Sequence, residues 1–206
     1  MSLVHIHVPK TGGTSLAAYI EAEGLGRTVG HTPARDVVRQ PGEELIGVVR
    51  DPWSWYVSWW RHCTRCGPDK IARLRKMGAG GTAFGSIMHA QMHGGVYQDA
   101  IIVDIPPWRG ESMWSHVMRY YLCDDAGDLL VDHLIILDSQ YRFYSLAQGL
   151  GRVVGKHVSI PRCNTAKPTV CGYWYSAVAS RIVEIEDVPQ WDLWRAPYGD
   201  PQQGKT

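Results

Sequence analysis

Phenylalanine is nearly missing from this chain, with two residues against nine Trp and ten Tyr. Net charge is nearly missing too: 21 Lys and Arg meet 20 Asp and Glu, leaving +1 with histidines neutral. That balance excludes a protein that coats nucleic acid by bulk charge. No apolar run approaches the roughly 18 residues that a membrane span requires. Met1 leads directly into an apolar, strand-like segment, without the basic-then-apolar order of a signal peptide. A soluble, cytoplasmic protein is therefore expected, with no membrane and no nucleic-acid partner. What is present excludes disorder, since a chain 45% hydrophobic does not stay solvated. At 206 residues, one domain spanning 1–206 is the natural reading.

Cysteine is sparse and odd in number: Cys63, Cys66, Cys123, Cys163 and Cys171 cannot all pair within one chain. Free thiols are the default in such a protein. Cys63 and Cys66 have metal-ligand spacing, and His89 and His93 would share a face of a helix. No second pair completes four ligands, so no metal is expected.

The apolar pattern orders the chain. Leu3 to Val8 alternates and reads as a strand, Pro9 to Thr14 as a loop, and Ser15 to Glu23 as a helix that Gly24 stops. Thr28 to Gly30 reads as a short strand, and a helix follows around Ala34 to Arg39. Leu45 to Val49 is an unbroken apolar run, the mark of a buried parallel strand. Asp51-Pro52 then opens a helix, because Asp caps well and Pro suits the first helical position. Trp53, Tyr56, Val57 and Trp60 form its expected apolar stripe. Residues 61–76 carry a net +5, and six of the eighteen residues from 78 to 95 are Gly. A helix over Glu111 to Leu122, a strand over His133 to Leu137, and helices over Tyr141 to Gly149 and Tyr173 to Ile185 complete the reading. An aromatic, acidic tail follows. This alternation predicts an α/β fold, a parallel sheet with helices on both faces.

Two motifs carry chemistry. Pro9-Lys10-Thr11-Gly12-Gly13-Thr14-Ser15 joins a strand to a helix. Its glycines permit a sharp turn that aims N–H groups inward, the helix N-terminus adds positive charge, and Lys10, Thr14 and Ser15 add donors. Such a loop cradles a phosphate or sulfate. The second motif, Arg50-Asp51-Pro52-Trp53-Ser54-Trp55-Tyr56-Val57-Ser58, puts Arg50 at the carboxyl end of a buried strand, where open sheets place ligand contacts. Ser54 and Ser58 share a face of the helix behind it. Arg50 with a helix hydroxyl would hold a second phosphate.

Together these motifs resemble those of the sulfotransferases that use 3′-phosphoadenosine 5′-phosphosulfate (PAPS), and most of all the carbohydrate branch. His7-Val8-Pro9-Lys10-Thr11-Gly12-Gly13-Thr14-Ser15 is similar to that family's 5′-phosphosulfate loop. Arg50 and Ser58, eight residues apart after a strand, match its 3′-phosphate motif. Asn164 and Lys167, before a Tyr-rich segment, resemble its C-terminal nucleotide contacts. Met118 to Leu122 and His133 to Leu137 resemble its later helix and strand. Leu137-Asp138-Ser139-Gln140 departs from the usual Arg-x-Glu ending, so no role passes to it. The resemblance implies a P-loop NTPase-like sulfotransferase fold. It also implies in-line transfer of a sulfuryl group from PAPS to a hydroxyl, with the bisphosphate PAP as the other product. Lys10 would donate to the leaving oxygen, with Lys10, Thr11, Gly12, Gly13, Thr14, Ser15, Arg50, Ser58, Asn164 and Lys167 holding the nucleotide.

A base is needed for the acceptor hydroxyl, and histidine suits neutral pH. His31, just beyond the second strand, lies on the loop's edge of the sheet and is chosen; relatives in the resembled family place a His or Glu base in this region. His7, Trp108 and Arg109 are candidate acceptor contacts, the last two beside a glycine-rich segment of the kind that forms lids. The acceptor is a carbohydrate, such as a glycan, or a small molecule. Two other readings compete: a P-loop small-molecule kinase using ATP, and a catalytically silent nucleotide-binding protein of the same fold. In the kinase pattern the lysine follows the glycines, whereas Lys10 leads them. Gly199 to Thr206 spells the ATP-binding pattern letter for letter, but no helix can follow it within the sequence, so it is rejected.

Overall fold

Residues 1–65, 112–137, 142–161 and 183–196 are described by a computed structural model, and elements are numbered among these residues. β1 (Ser2–His5), β2 (Gly26–Thr28), β3 (Glu43–Arg50) and β4 (His133–Leu137) form one sheet in the order β2-β1-β3-β4, every pair parallel. Val4 stands opposite Leu45, and Val48 opposite Ile135. After β1 the chain moves outward to β2, then returns past β1 to β3. The connections thus diverge between β1 and β3. That switch point, at the carboxyl ends of the strands, is where open parallel sheets bind ligands.

The alternation along β3 explains both covered faces. Ile46 and Val48 join Leu3, Ile135 and Leu137 on one side, where Leu16 and Ile20 of α1 (Gly13–Ala22) meet Leu146 and Leu150 of α4 (Arg142–Val154). On the other side Gly47 lies under α3 (Met113–Leu122), where a Cβ would come within 2.5 Å of Leu122 Cδ2. Strands covered on both faces are apolar throughout, which is why β3 and β4 read so plainly in the sequence. Each fully buried Leu or Ile contributes about 1.5–3 kcal/mol. An exposed ion pair such as Arg39–Asp132, at 2.8 Å, is worth about 1 kcal/mol at most. Burial therefore holds the sheet, and the ion pairs only trim its edges.

Several elements differ from expectation. Only Ala34–Asp36 is helical in the expected 34–39 segment, as one 3₁₀ turn. Val37 is extended beyond it, and the arginines explain why. Arg35 donates to the Tyr120 carbonyl at 3.0 Å and Arg39 to the Leu130 carbonyl at 2.8 Å, contacts made by a chain laid along its neighbour. α2 (Pro52–Arg65) starts where Asp51-Pro52 predicts, but its buried face is rotated. Trp55, Tyr56 and Trp59 are buried, whereas Trp53 and Val57 are half-exposed. α4 runs five residues past the expected Gly149. The last residues of the expected Tyr173 to Ile185 helix belong to a π-helical turn, Val183–Asp187, and the acidic, aromatic tail beyond it contains α5 (Val188–Arg195).

The chain groups into two compact units, 1–51 with 117–169 and 52–116 with 170–206. The first holds the sheet. In the second, Trp55 stacks on Trp59 with centroids 5.4 Å apart, and Trp114 packs at 5.8 Å from Trp194 and 6.5 Å from Trp191. Its polar centre is Asp187, fully buried. The Asp187 carboxylate accepts hydrogen bonds from Ser112 Oγ, from Ser115 Oγ at 3.1 Å and from the Tyr56 hydroxyl at 3.2 Å. Tyr56 in turn accepts the Trp114 N–H at 3.1 Å, and Ser112 Oγ caps α3 by accepting the Ser115 N–H at 3.1 Å. Among the described residues no helix is long and apolar enough to cross a membrane.

Candidate functional site

The loop after β1 is built from backbone strain. Lys10 has φ 66° and Gly12 has φ 85°, so two left-handed residues bracket Thr11. For lysine that conformation is uncommon, and it persists only where surrounding contacts impose it. Two contacts do so. Thr11, buried, donates its hydroxyl to the Val8 carbonyl at 2.9 Å, and Arg50 Nη1 donates to the Lys10 carbonyl at 3.1 Å. Gly12 is the N-cap of α1, and its carbonyl accepts the N–H groups of both Ser15 and Leu16. The N–H groups of Gly12, Gly13 and Thr14 stand outside the helical ladder and are the donors that an anion at this helix end would meet. Gly13 is required by packing: a Cβ there would lie 2.2 Å from Cδ2 of His7.

Three imidazoles line the same edge. His5 is fully buried and stacks on His7 at 5.6 Å; His7 lies 4.7 Å from His31, whose ring is 6.1 Å from that of Tyr121. Burial drives the His5 pKa down to about 3, with His7 adding to the effect. Burial likewise lowers His7 to about 4, helped by His31 and then by Lys10. Both rings are therefore neutral at physiological pH. His5 Nε2 is buried without a hydrogen-bond partner, while its Nδ1 faces the Thr28 hydroxyl at 3.5 Å. His31 is exposed and its Nδ1 lies 2.9 Å from the His7 carbonyl.

The first unit thus brings together His7, Lys10, Thr11, Gly12, Gly13, Thr14, Ser15, His31 and Arg50. Within this set the Thr11 hydroxyl braces the loop, and Arg50, only 5% exposed, supports the loop from below. Ser58 is half-buried on α2 in the second unit. Trp108, Arg109, Asn164, Lys167, the His89/His93 pair, the glycine-rich 78–95 segment and the C-terminal pattern at 199–206 lie outside the described residues, as do most of residues 61–76 and residues 173–182 of the helix expected over 173–185. Among the described residues no group of three metal-ligating side chains comes together. His5 escaped the sequence reading, although strand alternation puts His5 and His7 on one face. Tyr121 escaped it for want of any local signal.

Comparison of the chain with protein-family models, with curated proteins and with solved structures yields no match.

Proposed function

We propose that the chain is a PAPS-dependent sulfotransferase, cytoplasmic and of P-loop-like fold, acting on a hydroxyl-bearing acceptor such as a glycan. One observation carries the reading: a strand–loop–helix cradle at the sheet's switch point, with left-handed Lys10 tied through its carbonyl to buried Arg50. The donors of the loop suit an anionic group, which supports a sulfated bisphosphate nucleotide as the ligand. The N–H groups of Gly12, Gly13 and Thr14 with Lys10 would hold the phosphosulfate. Arg50 and Ser58, with Asn164 and Lys167, would hold the remaining phosphate and nucleotide. PAPS, as donor substrate, supplies a sulfuryl group on a good leaving group. The acceptor oxygen attacks sulfur, the sulfur–oxygen bond to the nucleotide breaks, and its electron pair leaves on PAP. Lys10 stabilises charge on that departing oxygen, and His31 takes the acceptor's proton. Positioning and preorganised donors would supply the rate, as in phosphoryl transfer.

Calorimetry on the full chain with PAP and with ATP tests this. PAP binds without magnesium, and Lys10→Ala weakens it by about 10–100-fold, the worth of a charge-assisted hydrogen bond. Preference for ATP, or dependence on magnesium, overturns the reading in favour of a kinase. PAP binding with no sulfate transferred across a panel of acceptors leaves a silent binding protein.

A further inference from the structure

The parallel pairing of β1 with β2 runs on past both strands. The Val29 N–H donates to the His5 carbonyl at 3.2 Å and the His7 N–H to the Gly30 carbonyl at 3.1 Å. In a continuing parallel ladder the next donor onto the His7 carbonyl would be a main-chain N–H of the facing chain. Gly30, at φ 62°, turns the chain out of line, and Nδ1 of the His31 side chain takes that place at 2.9 Å. A carbonyl oxygen only accepts, so Nδ1 holds the proton and the lone pair falls on Nε2. The His7 ring stands beside His31 at 4.7 Å, on a seat that exists because Gly13 has no side chain. Among the described residues, the rings beside His31 are those of His7 and Tyr121, with His5 and Lys10 beyond His7.

We propose that His7 and Gly30 are positioning residues, which commit His31 to the tautomer protonated on Nδ1 and so present Nε2 as the proton acceptor. What Nε2 accepts rests on the sulfotransferase reading; the tautomer rests on the geometry alone. Without this constraint an exposed histidine exchanges between tautomers, and only one of them leaves Nε2 able to take a proton.

Nitrogen NMR on the full chain with labelled histidine, in alkaline buffer, reads the tautomer directly. The expected result is Nδ1 protonated and Nε2 bare. Gly30→Ala meets no atom within 4 Å, so it acts through the backbone alone. It and His7→Ala shift His31 to a mixture of tautomers, while His7→Phe, which restores a flat ring, restores the single form. In a transfer assay Gly30→Ala lowers kcat by about tenfold, a fraction of what a general base supplies, and displaces the pH–rate profile with PAP affinity held. Nε2 protonated in the wild type, or an unchanged tautomer in both Gly30→Ala and His7→Ala, overturns the proposal. The nitrogen shifts need no acceptor, so a failed transfer assay sinks the sulfotransferase reading while the tautomer result decides this one.

Discussion

Gly12 and Gly13 are neighbours with different reasons to lack a side chain. At Gly12 the reason is conformational. Its φ of 85° is costly for any other residue, yet a Cβ would sit at an ordinary 3.6 Å from Leu137 and Leu146. Gly12→Ala should therefore lose about 1–2 kcal/mol of stability through backbone strain, with the core undisturbed, measured as a shift of the urea midpoint at constant slope. At Gly13 the reason is the His7 ring, 2.2 Å from any added Cβ. Gly13→Ala should push that ring away from its burial and from His31 and Lys10, the three causes that hold it near a pKa of 4. The His7 pKa, followed by NMR titration, should then climb toward the ordinary 6.5. A His7 that still titrates near 4 in the alanine variant would show that the ring does not depend on this seat. Lys10 is the one described residue other than glycine with positive φ, so strain and positive charge coincide at one residue. Strain kept at a positively charged residue motivates the binding role proposed for the loop.

Among the elements, legibility followed the range of the causes. The strand–loop–helix of residues 2–22 and the Asp51-Pro52 helix start were plain because caps, glycines and apolar runs act within a few residues. The face of α2 was not, because Trp at 53, 55, 59 and 60 offers two nearly equal stripes. Its partners in the fold choose the Trp55, Tyr56, Trp59 stripe. The Ala34 to Arg39 segment had helical residues but was claimed by Arg35 and Arg39 contacts about 90 positions away. The Asp187 network was out of reach altogether, since Tyr56 meets it across 131 positions. That network also makes a sharp prediction. Asp187→Ala takes the acceptor from three buried O–H donors, at about 1–3 kcal/mol for each donor that finds no other. The loss should total roughly 3 kcal/mol or more, because the serines also set the start of α3. Ser115→Ala removes one donor and leaves the other two in place, so it should cost only about 1 kcal/mol. Equal losses in the two variants, measured by urea unfolding, would mean that the carboxylate is not the centre of the network.

For the whole molecule the near-zero net charge conceals a steep response to acid. His5 and His7 have folded pKa values near 3 and 4, below the ordinary 6.5. The unfolded chain therefore binds more protons than the folded one once the pH drops below 6.5. Their contribution is complete above that pH and is lost as the pH falls toward 4 and 3, by up to about 1.4 kcal/mol per pH unit for each ring. Glu43 acts lower down. Its hydrogen bonds to Arg27, first, and then to the Gln40 N–H hold it at about 2, so its contribution is present above 4.5 and disappears between 4.5 and 2. The two windows join, and stability should decline without a plateau from pH 6.5 downward. His5→Phe tests the upper window cleanly. It keeps a flat ring against His7, removes the buried Nε2 that lacks a partner, and leaves nothing at that position to protonate. Urea midpoints between pH 6.5 and 4.5 should fall about half as steeply in this variant as in the wild type. A wild-type midpoint that stays level across that range would mean that the two histidines titrate in the folded protein as they do in the open chain, and the buried imidazole column beside the cradle would have to be abandoned.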